Sequence, residues 1–398
     1  MNGQQYVTWH AGLLNLLAMN ASQNRSSRHA ADSGPMRIKI EKWSLLALAR
    51  FVLAFIVAVG HIDHRHLAPL SGLLWAVPRF GPFEAVLGFL LISGYSIGSS
   101  YRQEPEGFLL RRAWRIYPVY IGALVLTYFA SMQALDAQLA ITLLQNVLFL
   151  NQITTDTSFV VPGWSLALEA WLYCLTPWLW RLKTEHLRAL IYASFAAFCC
   201  YELSRTVFHL PYYAGAGYGI NLPVLSFAWL AGLLMAREPS KASRTVRDCA
   251  LLFCGYVLMT VAVQYIHRWK HGELEEFFSK DALEYVARAL TLAAIVLLFK
   301  WIVEGRTGPA RNRTMRLLGD ISYPLYMVHY AVFTFVWNFG IRNATLQIGA
   351  ALVVAFAFHW CIDFYSRTRE RRPGPDAVTA AATRETPLVP APAAQQAE

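Results

Sequence analysis

The sequence predicts an all-α, polytopic integral membrane protein, a helical bundle of about ten transmembrane helices with one short re-entrant or interfacial helix. Three observations lead to this fold class. Hydrophobic residues make up 56% of the 398 residues, and charged residues only 15%. Apolar runs long enough to cross a bilayer recur along the chain. Basic residues gather in alternate loops between these runs.

The apolar runs place each predicted helix in turn. In chain order the predicted spans are Trp43–His61, Pro82–Tyr101, Trp114–Met132, Trp164–Trp180, Leu187–Phe208, Leu222–Ala236, Cys249–Ile266, Val286–Val303, Ile321–Gly340 and Thr345–Tyr365. The run Leu139–Leu150 is too short to cross a bilayer and is interpreted as the re-entrant or interfacial helix. We find no internal repeat and no second soluble domain.

The basic residues set the expected orientation of the bundle. Loops on one side carry clusters of arginine, for example within residues 102–115 and 306–316, whereas the other side has scattered charges. Because cytoplasmic loops are the basic ones, both termini are expected in the cytoplasm, with the chain in the cell inner (plasma) membrane. The net charge of +10 follows from this topology, so we expect the lipid bilayer and no nucleic acid as a partner.

Composition divides the chain into three regions. Residues 1–36, rich in Asn, Ser, Gln and His, are predicted to be a disordered extension or to precede a true start at Met36. Residues 37–366 form the predicted membrane domain, and the Pro- and Ala-rich residues 367–398 a disordered cytoplasmic tail. The 6 Cys include no C-x-x-C pair, so we expect neither a disulfide framework nor a metal site.

Arg50 and His61 lie within the first predicted span. Their separation of eleven residues is close to three helical turns, so both side chains fall on one stripe, about 16 Å apart. An ionisable group within a span is costly and needs a partner or a function. A His at the end of a span is an interfacial residue about as often as it is a functional one, but the presence of Arg50 in the same span favours a functional site. Asp63 offers a carboxylate to orient the His61 imidazole.

Arginines cluster where the third predicted span begins, at Arg111, Arg112 and Arg115, with Tyr117 just after them. Arg112 and Arg115 are one turn apart, and such a pair can bind a phosphate or pyrophosphate in a bidentate manner. The commoner reason for such residues is ordinary anchoring of a cytoplasmic loop.

Two further segments place polar groups inside predicted spans. Ser165 and Glu169 are four residues apart and share a helix face. A Glu at this depth needs a hydrogen-bond donor, whereas Ser165 could simply cap the helix. His329 lies inside the ninth span, where a lone buried His is more often structural, and Pro324 kinks this helix or sits in its first turn.

Together these segments resemble the acyltransferase type-3 family of integral-membrane O-acyltransferases, over about residues 37–366. The resemblance rests on five motifs: Arg50-x10-His61, Ile92-Ser93-Gly94-Tyr95, Arg112-x-x-Arg115-Ile-x-Pro118, Trp164-Ser165-Leu166-x-x-Glu169-x-x-x-Tyr173 and Gly319-x-Ile-Ser322-Tyr323-x-x-Tyr326-x-x-His329. Each motif is weak alone, but their order on these spans is specific. One departure is Phe89-Leu90, where the family usually has paired Phe. No hydrolase-like domain follows the last span, so the membrane unit is expected to finish the transfer or to pass the acyl group to another protein.

The resemblance implies transfer of an acyl group, usually acetyl from acetyl-CoA, to a hydroxyl of a surface polysaccharide or lipid-linked sugar. The predicted catalytic residues are His61, Arg50, Glu169 and Asp63. The predicted donor-binding residues are Arg112, Arg115, Arg111 and Tyr117. The predicted substrate-binding residues are Trp164, Ser165, Tyr173, Ser322, Tyr323 and His329. Acetyl-CoA is expected as donor substrate, with no permanently bound cofactor and no metal. Proteins of polysaccharide assembly are candidate partners.

His61 is expected to act as general base on the acceptor hydroxyl, oriented by Asp63 or Glu169, or as a nucleophile that accepts the acyl group transiently. Direct transfer is the favoured of the two. A rival interpretation is an exporter of a lipid-linked sugar with Arg50, Glu169 and His329 as a proton relay, although no inverted repeat is evident. A non-catalytic scaffold would leave Arg50 and Glu169 without a function.

Overall fold

A computed structural model describes residues 40–363 of the chain. The predicted disordered segments, 1–36 and 367–398, lie outside the described residues. Within 40–363 the secondary structure is helical, apart from two isolated β-bridges, which join Ile40 to Ala310 and Asn151 to Thr155. The predicted all-α class is confirmed for this part of the chain.

Helices of eleven residues or more form the bundle in the described part of the chain. They are α1 (Lys42–His64), α2 (Pro82–Gln103), α3 (Phe108–Ser131), α4 (Ala137–Val147), α5 (Gly163–Arg181), α6 (Thr184–Phe208), α7 (Asn221–Arg237), α8 (Ala242–Lys270), α9 (Ala282–Val303), α10 (Arg313–Asn338) and α11 (Ala344–Phe358). Each predicted span falls on one of these helices, in the same order, and the short run falls on α4.

Between residues 40 and 363, five helical segments are long and apolar enough to cross a membrane: Lys42–His64, Pro82–Gln103, Pro239–Lys270, Leu274–Val303 and Ala344–Ile362. The predicted count of about ten spans is therefore not confirmed. Polar side chains explain part of the difference. Helices α3, α5 and α10 carry arginine, glutamate, serine and histidine at positions that face other helices, and such residues lower the mean hydropathy of a helix.

Small residues allow two pairs of helices to pack closely. A Cβ atom added at Gly94 in α2 would collide with the Trp229 carbonyl oxygen in α7, and one added at Gly232 would collide with the Leu91 carbonyl oxygen. A Cβ atom at Gly319 in α10 would likewise collide with Ala47 in α1. Close backbone approach of this kind is typical of helix pairs in membranes, where packing replaces the hydrophobic driving force.

Helix α10 begins earlier than the apolar pattern predicts. It starts at Arg313, where the side chain of Asn312 accepts a hydrogen bond from the Met315 amide at 3.0 Å, rather than at Ile321. Pro324 consequently lies in the helix interior and not in its first turn. The first two turns of α10 are polar, so a search for apolar runs cannot find them, yet they carry Arg316 into the site described next.

Candidate active site

A cavity of about 1250 Å³ opens between α1, α2, α3, α5 and α10, and we call it the basic cavity. Besides Arg50, six arginines line it, three at the start of α3 and three at or just before the start of α10: Arg111, Arg112, Arg115, Arg311, Arg313 and Arg316. We call these six the arginine cluster. Since both helices begin here, the cluster lies at one end of the cavity. Such a concentration of guanidinium groups suits a ligand with several negative charges.

Three of the four predicted donor-binding residues line the basic cavity. Arg111 forms an ion pair with Glu104 (3.1 Å), which restrains its guanidinium, while Arg112 and Arg115 also face the cavity. Tyr117 does not line it and packs its ring 5.2 Å from that of Phe149. Two residues along a helix correspond to about 200° of rotation, so Tyr117 faces away from Arg115.

Helix α2 contributes a row of hydroxyl groups that the prediction did not include. Ser93, Ser96, Ser99 and Ser100 line the basic cavity. Ser93 and Ser96 are three residues apart, and the adjacent Ser99 and Ser100 follow Ser96 after three and four residues, which places the row on one side of the helix. This spacing was readable from the sequence, but serines are common in membrane helices and the pattern carries little information alone. The row gives the cavity a neutral polar wall between its charged end and its interior.

The interior end of the basic cavity is built around Glu169. Glu169, Ser165 and Tyr173 share one face of α5, and all three line the cavity together with Arg50. The Tyr173 hydroxyl donates a hydrogen bond to Glu169 Oε2 at 2.5 Å, and its oxygen lies 3.2 Å from Ser93 Oγ. Because Tyr173 donates its proton to Glu169, Ser93 is the donor in the second bond. The predicted need of Glu169 for a hydrogen-bond donor is met by Tyr173.

The remaining predicted substrate-binding residues divide into two groups. Ser322 and Tyr323 line the basic cavity; the first donates to the Gly319 carbonyl (2.6 Å) and the second to the Ile116 carbonyl (2.9 Å). Ser165 Oγ lies 2.8 Å from the hydroxyl of Tyr326, a residue that the prediction did not assign to the site. Trp164 is buried beside the cavity without lining it.

His329 lies directly against His61. His329 Nε2 is 3.1 Å from His61 Nδ1, and the ring centroids are 5.1 Å apart. His329 is fully buried, whereas His61 keeps part of its surface accessible. We call these two residues the histidine pair. The sequence placed His329 among substrate-binding residues; in the structure it stands behind His61 and contacts its ring.

Backbone carbonyls define the protonation of this pair. His61 Nδ1 lies 3.0 Å from the Val57 carbonyl oxygen, and His329 Nδ1 lies 3.0 Å from the Leu325 carbonyl oxygen. A carbonyl oxygen only accepts hydrogen bonds, so each Nδ1 carries a proton. His329 Nε2 then holds a lone pair that accepts from His61 Nδ1. The arrangement leaves the lone pair of His61 on Nε2, which is the form that a general base or nucleophile requires.

Asp63 is not part of this arrangement. Its side chain is exposed, and among the hydrogen bonds of residues 40–363 none joins it to His61. Asp63 is two positions after His61, as Tyr117 is after Arg115, so the two side chains leave the helix on opposite faces. The orienting contacts that the prediction assigned to a carboxylate come from Val57 and His329.

The histidine pair lies one helical turn beyond the basic cavity. Tyr326 lines the cavity, and its ring centroid is 6.3 Å from that of His329, which does not line it. The Tyr326 ring also packs 5.1 Å from Phe89, another lining residue. Tyr326, Phe89 and Ser165 therefore form a layer between the basic cavity and the histidine pair.

Fold and site together define a helical membrane protein with an ionisable site between its helices. A family model described as an acyltransferase domain matches residues 45–364, and the chain belongs to this family, the acyltransferase type-3 enzymes that transfer acyl groups. A protein of Acidianus two-tailed virus, named "Putative acetyltransferase ORF330", is 22% identical over 329 residues, which cover 79% of this chain and 87% of the relative. No solved structure matches the chain.

Proposed function

We propose that the protein moves an acyl group, most often acetyl, from acyl-CoA on the cytoplasmic side to a hydroxyl of a surface polysaccharide or lipid-linked sugar. It would do so in the cell inner membrane, with about ten spanning helices and both termini in the cytoplasm. One observation carries the proposal. The basic cavity joins the arginine cluster at one end to a layer one turn from the histidine pair at the other.

The charges and size of the basic cavity favour a nucleotide-bearing donor. Coenzyme A carries a pyrophosphate and a 3′-phosphate at one end and its thioester at the end of a long, uncharged arm. Arg112 and Arg115 would bind phosphate oxygens, and the serine row of α2 would accompany the arm. Arg50 and His61 are about 16 Å apart along α1, a distance that an extended arm covers in large part. The volume of about 1250 Å³ exceeds what most small ligands need.

His61 Nε2 would remove the proton of the acceptor hydroxyl. The oxygen attacks the thioester carbonyl, the new C–O ester bond forms, the C–S bond breaks, and the thiolate of coenzyme A takes the proton back from the imidazolium. His329 and Val57 hold the His61 ring during both transfers. In the alternative route His61 Nε2 itself accepts the acyl group and passes it on. Both routes need the lone pair on Nε2.

Acetyl transfer in isolated membranes tests the proposal. Radiolabelled acetyl-CoA is supplied to membranes that contain equal amounts of the wild type, His61→Ala or His64→Ala, and label in glycan is measured. His64 is the matched control because it is an exposed histidine at the end of the same helix. The wild type and His64→Ala should label glycan, and His61→Ala should lose about 10²- to 10⁴-fold in rate, the usual contribution of a general base.

Two other outcomes would contradict the proposal. Equal labelling by all three proteins would remove His61 from the reaction. No labelling by any of them, combined with glycan export in vesicles that lack acyl donor, would favour the exporter instead.

A further inference from the structure

A second cavity, of about 430 Å³, lies on the other side of the histidine pair, and we call it the hydroxyl-rich cavity. The order of residues along α10 shows this. Tyr326 and Met327 line the basic cavity, Tyr330 and Thr334 line the hydroxyl-rich cavity, and His329 falls between them. The Tyr330 ring lies 5.8 Å from that of His61. The two cavities therefore approach His61 from opposite directions.

Helix α3 confirms that the cavities lie at opposite ends of the bundle. Its first turns supply Arg112 and Arg115 to the basic cavity, and its last turns supply Thr127 and Ser131 to the hydroxyl-rich cavity. Fifteen residues from Arg112 to Thr127 correspond to about 22 Å along the helix. On α3 the outer ends of the two cavities are thus most of a bilayer's hydrocarbon thickness apart, while on α10 their linings come within one turn, at Met327 and Tyr330.

The lining of the hydroxyl-rich cavity suits a neutral, polyhydroxylated ligand. Its polar groups are mainly hydroxyls and amides, including Ser131, Gln133 and Gln138; one carboxylate, Asp136, caps α4 by accepting from the Leu139 amide, and no Lys or Arg is among the described residues that line it. The amides of Gln133 and Gln138 and the hydroxyl of Tyr330 have no hydrogen-bond partner among the described residues, so they are available to a ligand. The Arg65 guanidinium lies 5.7 Å from the centroid of the Tyr330 ring, but the lining holds no group of cations like the arginine cluster.

Tyr330 combines two features that sugar binding requires. The Arg65 guanidinium lies over one face of its ring, 5.7 Å from the centroid, so the opposite face is the one for the C–H surface of a sugar. Its hydroxyl can exchange hydrogen bonds with sugar hydroxyls. Since the same ring lies beside His61, a sugar stacked on it would have its hydroxyls near His61 Nε2. The volume of about 430 Å³ lies within the range of small-ligand sites.

We infer that the hydroxyl-rich cavity is the acceptor site: it binds a neutral sugar unit through Gln133, Gln138 and Tyr330 and presents one sugar hydroxyl to His61. This inference rests on the proposed function. Donor and acceptor then enter from opposite ends of the bundle and meet at the histidine pair.

The experiment titrates the acceptor at saturating donor. The probe is the glycan fraction of the cells that carry the protein natively, freed of esters by mild alkali, with radiolabelled acetyl-CoA as donor. The variants are Gln138→Ala, Gln133→Ala with Gln138→Ala, and Tyr330→Phe. Gln145→Ala is the matched control: it is a glutamine on α4, two turns from Gln138 and outside the cavity. Donor titrations at saturating glycan run in parallel.

Loss of one neutral hydrogen bond should raise the half-saturating glycan concentration about three- to tenfold, and the double variant should raise it further. The half-saturating acetyl-CoA concentration should not change, and Gln145→Ala should match the wild type. If the wild type transfers label and the cavity variants keep its glycan dependence, or if donor dependence changes instead, the inference is overturned while the proposed function stands. If the wild type transfers no label, the proposed function fails and this inference fails with it.

Discussion

Replacing His329 with leucine should lower the turnover number of acyl transfer about two- to tenfold without changing the half-saturating concentration of acetyl-CoA. Leucine fills much of the buried volume but accepts no hydrogen bond. His61 Nδ1 would lose one of its two acceptors and keep the Val57 carbonyl at 3.0 Å. A neutral hydrogen bond contributes about 0.5–1.5 kcal/mol, and about 1.4 kcal/mol corresponds to a tenfold change in rate.

A double-mutant cycle separates this positioning role from a direct one. If His329 acts only through the His61 ring, His61→Ala combined with His329→Leu should be no slower than His61→Ala alone, because the ring to be oriented is already gone. His329→Gln should recover part of the rate, since its side-chain oxygen can accept a hydrogen bond. Turnover numbers are measured as labelled glycan per mole of purified protein in lipid vesicles.

The reasoning would be refuted by either of two results. One is a multiplicative loss in the double variant, which would give His329 a contact with substrate independent of His61. The other is a loss in His329→Leu as large as that in His61→Ala. Equal yield and equal melting temperature of the purified variants serve as the control for folding.

Two further predictions concern the donor site and the helix packing. Arg115→Gln should raise the half-saturating acetyl-CoA concentration about ten- to hundredfold, because it removes a charge-assisted hydrogen bond worth about 1.5–3 kcal/mol. The control is Arg181→Gln, which changes an exposed arginine outside the basic cavity and should leave this concentration unchanged. Equal effects of the two substitutions would contradict the donor assignment. Gly94→Ala should destabilise the protein by about 1–3 kcal/mol or prevent its accumulation, because the added methyl group collides with the Trp229 carbonyl. The control is Gly349→Ala, whose added methyl group meets open space. Thermal unfolding in detergent compares the two variants, and equal melting temperatures would show that α2 and α7 can separate at no cost.

Residues that share a helix face were predicted together correctly. A spacing of four residues placed Ser165 and Glu169 on one face, and the structure brings both to the basic cavity, together with Tyr173 one turn further along. Tyr117 and Asp63 were grouped with Arg115 and His61 by nearness in sequence, and the structure separates both from these partners because a two-residue step reverses the face of a helix. Helical periodicity therefore grouped residues correctly where it was applied, whereas nearness in sequence gave the wrong grouping for these two residues.

Contacts between helices could not be obtained in the same way. His61 and His329 are 268 residues apart, and nothing local to either histidine indicates that they touch. Their contact depends on the close packing of α1 against α10, which Gly319 and Ala47 permit. The layer formed by Tyr326, with its 2.8 Å contact to Ser165, is of the same kind. Such contacts depend on how all the helices pack together. The patterns in a single sequence can therefore identify the functional residues but not the residues that they contact.

The two cavities differ in charge, since the arginine cluster belongs to only one of them. This difference explains how an acyl group could cross a membrane at a low cost in free energy. Moving one charged group to the bilayer centre costs at least about 2.5–3.5 kcal/mol, and coenzyme A carries several phosphate charges. Under the proposed function these charges stay with the arginine cluster, and only the uncharged end of the arm, with its thioester and acyl group, passes the layer of Tyr326, Phe89 and Ser165. The acceptor hydroxyl is neutral as well, and its proton passes through His61 Nε2 to the thiolate of coenzyme A, which leaves as a neutral thiol. A base held between two cavities of different polarity therefore allows transfer across the bilayer without transport of either substrate's charge.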